Sequence, residues 1–363
     1  METKKIFLLS TQRSDERTGV RFYCDALEEE LLAEGFVVCR KTHHDAPRWL
    51  RLGCVLILKA ARILGQGAQQ VVVRGCIYIQ ACWVCRKMQN EVDSVFAQDP
   101  ITGAAASQFF SKVWTTCHFS NPVDEIFRAQ SMGGVAQWWI RKIMKFFLSR
   151  NQCFIVLSKS AEEMMQTYCP KAKYVVIPTL CRLKTFREMI PHEGFRIVMM
   201  GRLEPLKGQR LLIEIIAQLK DLPVEIWLLG EGADHQRLID LANQLAVMDK
   251  IKFFGFCKAP EEILSQCDLY IHTSKMEAFA LAPIEAIFSG IPAWIMETPG
   301  CNDFSVFDHD AVFSQETGAT VLALKVRECI LNQKQLFSLV QYQQCRCEIF
   351  RPSEVVSEYL RLI

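Results

Sequence analysis

The chain lacks any apolar run of the ~18 residues that a membrane-crossing helix needs. It has no short-period repeat and no low-complexity tract. Disorder, collagen-like and coiled-coil architectures are therefore not expected for most of its length. It has almost no net charge, +2 from 42 basic and 40 acidic residues, which argues against a wholesale nucleic-acid coat. No phosphate-binding GxxxxGK[ST] loop is present. Cys82 and Cys85 form a CxxC, but no second CxxC follows at zinc spacing, and Cys345 and Cys347 are one residue apart. The first residues, METKKIFLLST, hold an apolar stretch of only four, so no secretory leader is expected. Sixteen cysteines in so long a chain then read as buried thiols in a reduced, cytoplasmic setting.

What is present is globular. Of 363 residues, 50% are hydrophobic and 23% charged, enough for two cores at the ~150-residue prior per domain. Charge is unevenly shared. Residues 1–180 carry 23 Lys/Arg and 16 Asp/Glu; residues 181–363 carry 19 and 24. A basic first half hints at something anionic. Strand-like runs alternate with helix-like segments: 5–11, 36–40, 71–75, 94–100, 112–118, 153–158 and 174–178 read as strands, with a helix over 21–35. The rhythm then restarts, with strands at 195–201, 224–232, 251–256, 269–274 and 292–297 and a helix over 209–220. Such alternation predicts parallel sheets covered by helices on both faces, an α/β fold of two doubly wound, Rossmann-like domains. The boundaries expected are 1–180, 193–345, and a closing helix in 346–363 that packs back on the first domain.

In such sheets ligands sit at the carboxyl ends of strands. GRLEPLKGQRLL (201–212) follows a strand and sets Arg202 and Lys207 before a helix, two cations suited to a diphosphate. In HTSKMEAFALAPIEAIFSGIP (272–292), Glu277 and Glu285 are separated by seven residues. Glu277 falls in a loop and Glu285 on the next helix, whose free N–H groups suit phosphate oxygens. Carboxylates suit sugar hydroxyls. GEGADHQRL (230–238) ends a strand in glycines. Taken singly, each segment also reads as an ordinary solvated loop, cap or tight turn. Asp99 reads as a loop acid that caps the following helix.

Together, from Phe195 to Phe313, these segments resemble the retaining glycosyltransferases of family 4, which have the GT-B fold. In the first half, Gly19 with Val20, AQDPITG (97–103), TTCHF (115–119), FIVLSKS (154–160) and VVIPTL (175–180) are similar to family segments. The resemblance implies two domains facing across a cleft, and transfer of a sugar from a nucleoside-diphosphate sugar, most often of uridine, to a hydroxyl of a glycan or lipid-linked glycan. It implies that Arg202 and Lys207 neutralise the diphosphate and that Glu285 binds the ribose. It further implies that Glu277 holds the sugar with the N–H groups of Phe279, Ala280 and Leu281, that His118 lies near the anomeric centre, and that Gly19 lies near substrate. No metal or other cofactor is implied. The family commonly has glycine where this chain has Ala278 and Ala280, and a glycine pair where it has Gly19 alone. The same layout would also serve a nucleotide-sugar epimerase, a phosphorolytic enzyme or a non-catalytic nucleotide-binding scaffold.

Two further segments are basic and apolar at once. WWIRKIMKFFLSR (138–150) carries Arg141, Lys142, Lys145 and Arg150, and RWLRLGCVLILKAARIL (48–64) carries Arg48, Arg51, Lys59 and Arg62. Each is expected to be a helix whose apolar face either packs on the sheet or lies in an anionic membrane surface. Packing is the expectation for 138–150, which runs straight into a strand.

Overall fold

The computed structural model describes residues 4–12, 18–63, 65–118, 134–183, 190–277, 279–307 and 309–363. The chain divides into two units: Met1–Leu180 with Pro352–Ile363, and Cys181–Arg351.

The first unit is built on a six-stranded parallel sheet of order β2-β1-β3-β4-β5-β6. Its strands are β1 (Lys5–Ser10), β2 (Val37–Thr42), β3 (Ser94–Ala97), β4 (Val113–Cys117), β5 (Cys153–Val156) and β6 (Lys173–Val176). Its helices are α1 (Gly19–Ala33), α2 (Arg48–Ile63), α3 (Gln66–Met88), α4 (Pro100–Ala106), α5 (Gly134–Leu148) and α6 (Lys159–Tyr168). Alternation along β1 feeds two cores, as a strand buried on both faces must. Ile6 and Leu8 pack with Tyr23, Leu27 and Leu31 of α1, and Phe7 and Leu9 pack with Ala81, Val84 and Cys85 of α3. The last helix of the chain, Pro352–Leu360, adds Val355, Val356 and Tyr359 to the first of these cores, where the Tyr359 hydroxyl meets that of Tyr23 and lies 3.3 Å from Thr116 Oγ1.

The second unit has a parallel sheet of order β12-β11-β10-β7-β8-β9. The strands are β7 (Phe195–Met200), β8 (Val224–Leu229), β9 (Ile251–Gly255), β10 (Leu269–His272), β11 (Ala293–Met296) and β12 (Val312–Phe313). The helices are α7 (Gln209–Ile216), α8 (His235–Gln244), α9 (Pro260–Leu264), α10 (Leu281–Phe288), α11 (Pro299–Asn302), α12 (Ala319–Leu331) and α13 (Lys334–Cys347); the closing helix of the chain is α14. Taken in chain order the strands run 3-2-1-4-5-6 from β9, the order of a dinucleotide-binding sheet. The sheet reverses direction of winding between β7 and β10. Loops leaving those two strands therefore stand side by side, and a crevice forms at their carboxyl ends.

Two expectations fail. Residues 71–75 are not a strand but lie inside the 23-residue helix α3. α3 packs against α2, α4 and α5 together, so its apolar residues are spread around its circumference and its valines carry no helical stripe. β12, two residues at the sheet edge, is absent from the sequence reading. Parts of DERTG and 180–193, together with Phe119 and Ala278, lie outside the described residues. All sixteen cysteines are unpaired thiols.

Candidate donor-sugar site

The switch point of the second unit brings Lys207 and Glu277 together. After β7 the chain makes a short 3-10 turn, Pro205–Lys207, and enters α7 through Gly208. After β10 it runs through Thr273 to Ala280 and enters α10. The two loops are stitched by their backbones. Lys275 N–H donates to the Leu206 carbonyl at 2.9 Å, and Thr273 Oγ1 donates to the Lys207 carbonyl at 3.0 Å. Gly208 sits at φ 71°, and a Cβ there would fall 2.3 Å from the Thr273 carbonyl oxygen. Only glycine permits both that turn and that approach. The strand-end glycines serve the same loop. A Cβ on Gly230 would fall 2.0 Å from the Gly201 carbonyl oxygen, and one on Gly232 would fall 2.2 Å from that of Leu203. They let the loop after β8 lie directly on the Arg202 loop, where Leu203 N–H donates to the Glu231 backbone carbonyl at 2.9 Å.

Within this frame Lys207 Nζ donates to Glu277 Oε1 at 2.6 Å. His272, the last residue of β10 and buried, places Nε2 2.9 Å from the same oxygen. Burial works to raise the Glu277 carboxyl; the His272 hydrogen bond and the Lys207 ammonium outweigh it and hold the group down at about 2. Glu277 is thus a carboxylate with only acceptor capacity, so His272 Nε2 carries the proton it donates. Tyr270 backs the histidine from 3.3 Å and anchors to β7 through the Met200 carbonyl at 3.1 Å.

Glu285 lies on α10 and is buried. Burial pushes its carboxyl up to about 7, with the Arg182 guanidinium opposing and Glu261 reinforcing the rise. Arg182 Nε approaches Glu285 Oε1 at 3.5 Å and its NH2 bonds Glu261 at 2.9 Å. Arg202 is largely exposed, pairs with Glu204 at 2.9 Å and offers its carbonyl to Gln209 Nε2 at 2.9 Å. Ala280 occupies the N-cap of α10 with no side-chain cap on the helix's first N–H groups, and Leu281 opens the helix. Phe279 packs on Phe304 and Phe350 at centroid distances of 5.2 and 5.4 Å. Sequence reading assigned no role to His272 or Arg182. A histidine at a strand's carboxyl end was the available signal for the first. Arg182 gave none, because its partners stand far away along the chain.

The first unit has its own switch point between β1 and β3, where Asp99 Oδ2 accepts from Thr11 N–H at 3.2 Å. Asp99 Oδ1 also caps α4 through the N–H groups of Ile101 and Thr102, both at 3.0 Å, as its loop position predicts. Gly19 opens α1 after the N-cap Thr18. His118 follows β4. Its Nε2 lies 3.0 Å from Gln98 Oε1, the Tyr23 ring meets its imidazole edge-on at 5.0 Å, and burial lowers it to about 4, leaving it neutral. Among the described residues no group of His, Cys, Asp and Glu has the arrangement of a metal site.

Residues 183–345 match the family model described as glycosyl transferases group 1. An uncharacterized glycosyltransferase of Bacillus subtilis, YqgM, is 24% identical over 227 residues, 60% of this chain and 62% of that protein. The lipopolysaccharide core biosynthesis glycosyltransferase LpsE of Rhizobium meliloti is 31% identical over 102 residues, 28% of this chain and 29% of that protein. The matches thus span less than two thirds of the length of these curated relatives. The crystal structure of Anabaena Alr3699/HepE in complex with UDP and glucose superposes with a TM-score of 0.73 at 16% identity, covering 99% of this chain and 100% of that one. The fold is GT-B, and the match to the glycosyl transferases group 1 model lies within the second unit.

Proposed function

From a GT-B chain whose second unit matches the glycosyl transferases group 1 model, we propose a retaining glycosyltransferase that moves a sugar from a nucleoside-diphosphate sugar to a hydroxyl of a glycan or lipid-linked glycan. The observation that carries this reading is the Lys207–Glu277–His272 cluster at the switch point, with Glu285 on the helix that follows. Uridine is the proposed base, supported by the likeness to a structure that holds UDP. A lipid-linked acceptor would set the work at a membrane surface on the cytoplasmic side, where unpaired thiols persist.

In the proposed step the acceptor oxygen forms a bond to the anomeric carbon as the bond from that carbon to the diphosphate breaks. The bonding pair leaves with the diphosphate, and the acceptor proton passes to the leaving phosphate oxygen on the same face. Negative charge therefore grows on the diphosphate and positive charge on the sugar ring. Lys207 and Arg202 stabilise the first, and fixed charges of this kind contribute several kcal/mol in a dry site. The proposal assigns the counter-charge to these cations rather than to a metal. Incoming diphosphate draws Lys207 from Glu277, whose freed acceptor capacity passes to sugar hydroxyls while His272 keeps the carboxylate in place. The N–H groups of Phe279, Ala280 and Leu281 complete the sugar contacts, and Glu285 accepts from the ribose diol. On the first unit, neutral His118 is the proposed hydrogen-bonding group for a substrate hydroxyl, and Gly19 is proposed to lie near substrate.

The test is turnover of a panel of nucleoside-diphosphate sugars with NMR of the product's anomeric proton, repeated with a chelator present. Retained configuration, unaffected by the chelator and lost in Glu277→Gln, supports the reading. Inverted configuration, or no sugar released from any donor, overturns it.

A further inference from the structure

Helix α2 has two apolar faces, and the fold uses one. Leu50, Cys54, Leu58 and Ala61 recur at spacings of four, four and three and turn inward, with Cys54 and Ala61 buried. Trp49, Leu52, Leu56 and Ile63 recur at three, four and seven, which sets them on a different face of the same helix. All four are exposed, at 67%, 53%, 67% and 87%. Arg48, Arg51, Lys59 and Arg62 lie along the same helix, which contains no acidic residue. Helix α5 repeats the pattern. Ile140, Phe147 and Leu148 are buried, while Val135, Trp138 and Trp139 are exposed among Arg141, Lys142 and Lys145, again with no acid. Both helices pack on α3, on the side of the first sheet opposite α1 and α14. A monomer seldom leaves so many large side chains in water on two helices of one unit.

Charge decides what covers this face. Two copies meeting across a two-fold axis would set cations against cations. Anionic headgroups complement them, and tryptophan suits the boundary between headgroup and acyl chain. Among the described residues no helix is long and apolar enough to cross a membrane, so the helices would lie in the surface plane. We propose that the α2 face of the first unit docks on the anionic headgroup layer of a bilayer. Trp49, Leu52, Leu56 and Ile63 enter the boundary, and the four cations of α2 sit among the phosphates. The inference deepens the membrane location proposed above, yet it stands on the first unit alone and needs no donor chemistry.

The test is co-sedimentation of the full chain, without donor, with vesicles of phosphatidylcholine and of phosphatidylcholine mixed with phosphatidylglycerol. Binding to the mixed vesicles alone, reduced about tenfold or more by high salt, is expected. Leu56→Glu should abolish it and Arg51→Glu should weaken it, both with an unchanged melting temperature because the side chains are exposed. No binding by the wild type, or Leu56→Glu binding as well as wild type, overturns the proposal. So does a concentration-dependent dimer lost in Leu56→Glu without vesicle binding, which assigns the face to a second copy. Vesicle binding by a chain that binds no nucleotide would sink the donor reading and leave this inference standing.

Discussion

Replacing Glu285 with glutamine should stabilise the second unit at alkaline pH and leave it nearly unchanged in mild acid. The carboxyl titrates near 7 in the folded chain against an ordinary 4.5. A raised acid means that ionisation opposes folding. Below the unfolded value the group is protonated in both states and contributes no penalty. Stability is then lost as pH rises through the folded value, and above it the full difference applies, about 3 kcal/mol at ~1.4 kcal/mol per unit. The Arg182 contact is already included, since it works against the rise. Glutamine keeps the size of the side chain and cannot ionise. For a domain of this length each kcal/mol moves the melting temperature by roughly 2–4 °C, so the variant should melt roughly 6–12 °C above wild type at pH 8 and within about 3 °C of it at pH 5. Calorimetry at the two pH values reads this directly. Parallel profiles, or a variant less stable at pH 8, would refute the reasoning and show that the Arg182 ion pair outweighs burial.

Glu277→Gln should do the reverse. Its depressed carboxylate contributes stability above about 4.5 that is lost as pH falls toward about 2, so the variant should be destabilised at neutral pH by about 3 kcal/mol in a denaturant titration. His272→Ala should raise the Glu277 carboxyl and cut donor turnover while leaving the Lys207 ion pair; an unchanged acid limb in the pH–stability profile would count against its positioning role. Gly208→Ala should strain the turn and push on Thr273, destabilising by more than ~1 kcal/mol in thermal melts and weakening nucleotide binding. Tyr359→Ala should open a cavity beside Tyr23 and destabilise the first unit by about 3–5 kcal/mol in chemical denaturation.

Much of the layout was legible because both sheets are parallel and buried, so their strands read as short apolar runs separated by periodic helices. FRIVMMG and VEIWLLGEG became β7 and β8 within a residue or a few. The failure at 71–75 has a physical cause: valine-rich residues favour strands on a half-exposed surface, and three neighbouring helices override that preference in α3. The acidic spacing placed Glu277 in a loop and Glu285 on a helix, and α10 begins at Leu281 as the pattern before Pro283 suggested. Contacts that tune those acids were not legible. Arg182 reaches Glu285 across 103 positions, and the Lys207–Glu277 pair spans 70. The second apolar face of α2 was visible as composition, but only the fold shows that its core-facing strip lies elsewhere on the helix.

The central claim is that the second unit holds a nucleoside diphosphate at its switch point. Isothermal titration of the full chain with UDP, GDP, ADP and CMP, repeated on Lys207→Ala and Glu285→Ala, tests it most directly. The account predicts that one nucleoside diphosphate binds, that Lys207→Ala weakens it, and that Glu285→Ala weakens it further at pH 8, where Glu285 is ionised, than at pH 6. Wild-type protein that binds none of the four, or binds one equally well in both variants, would contradict it.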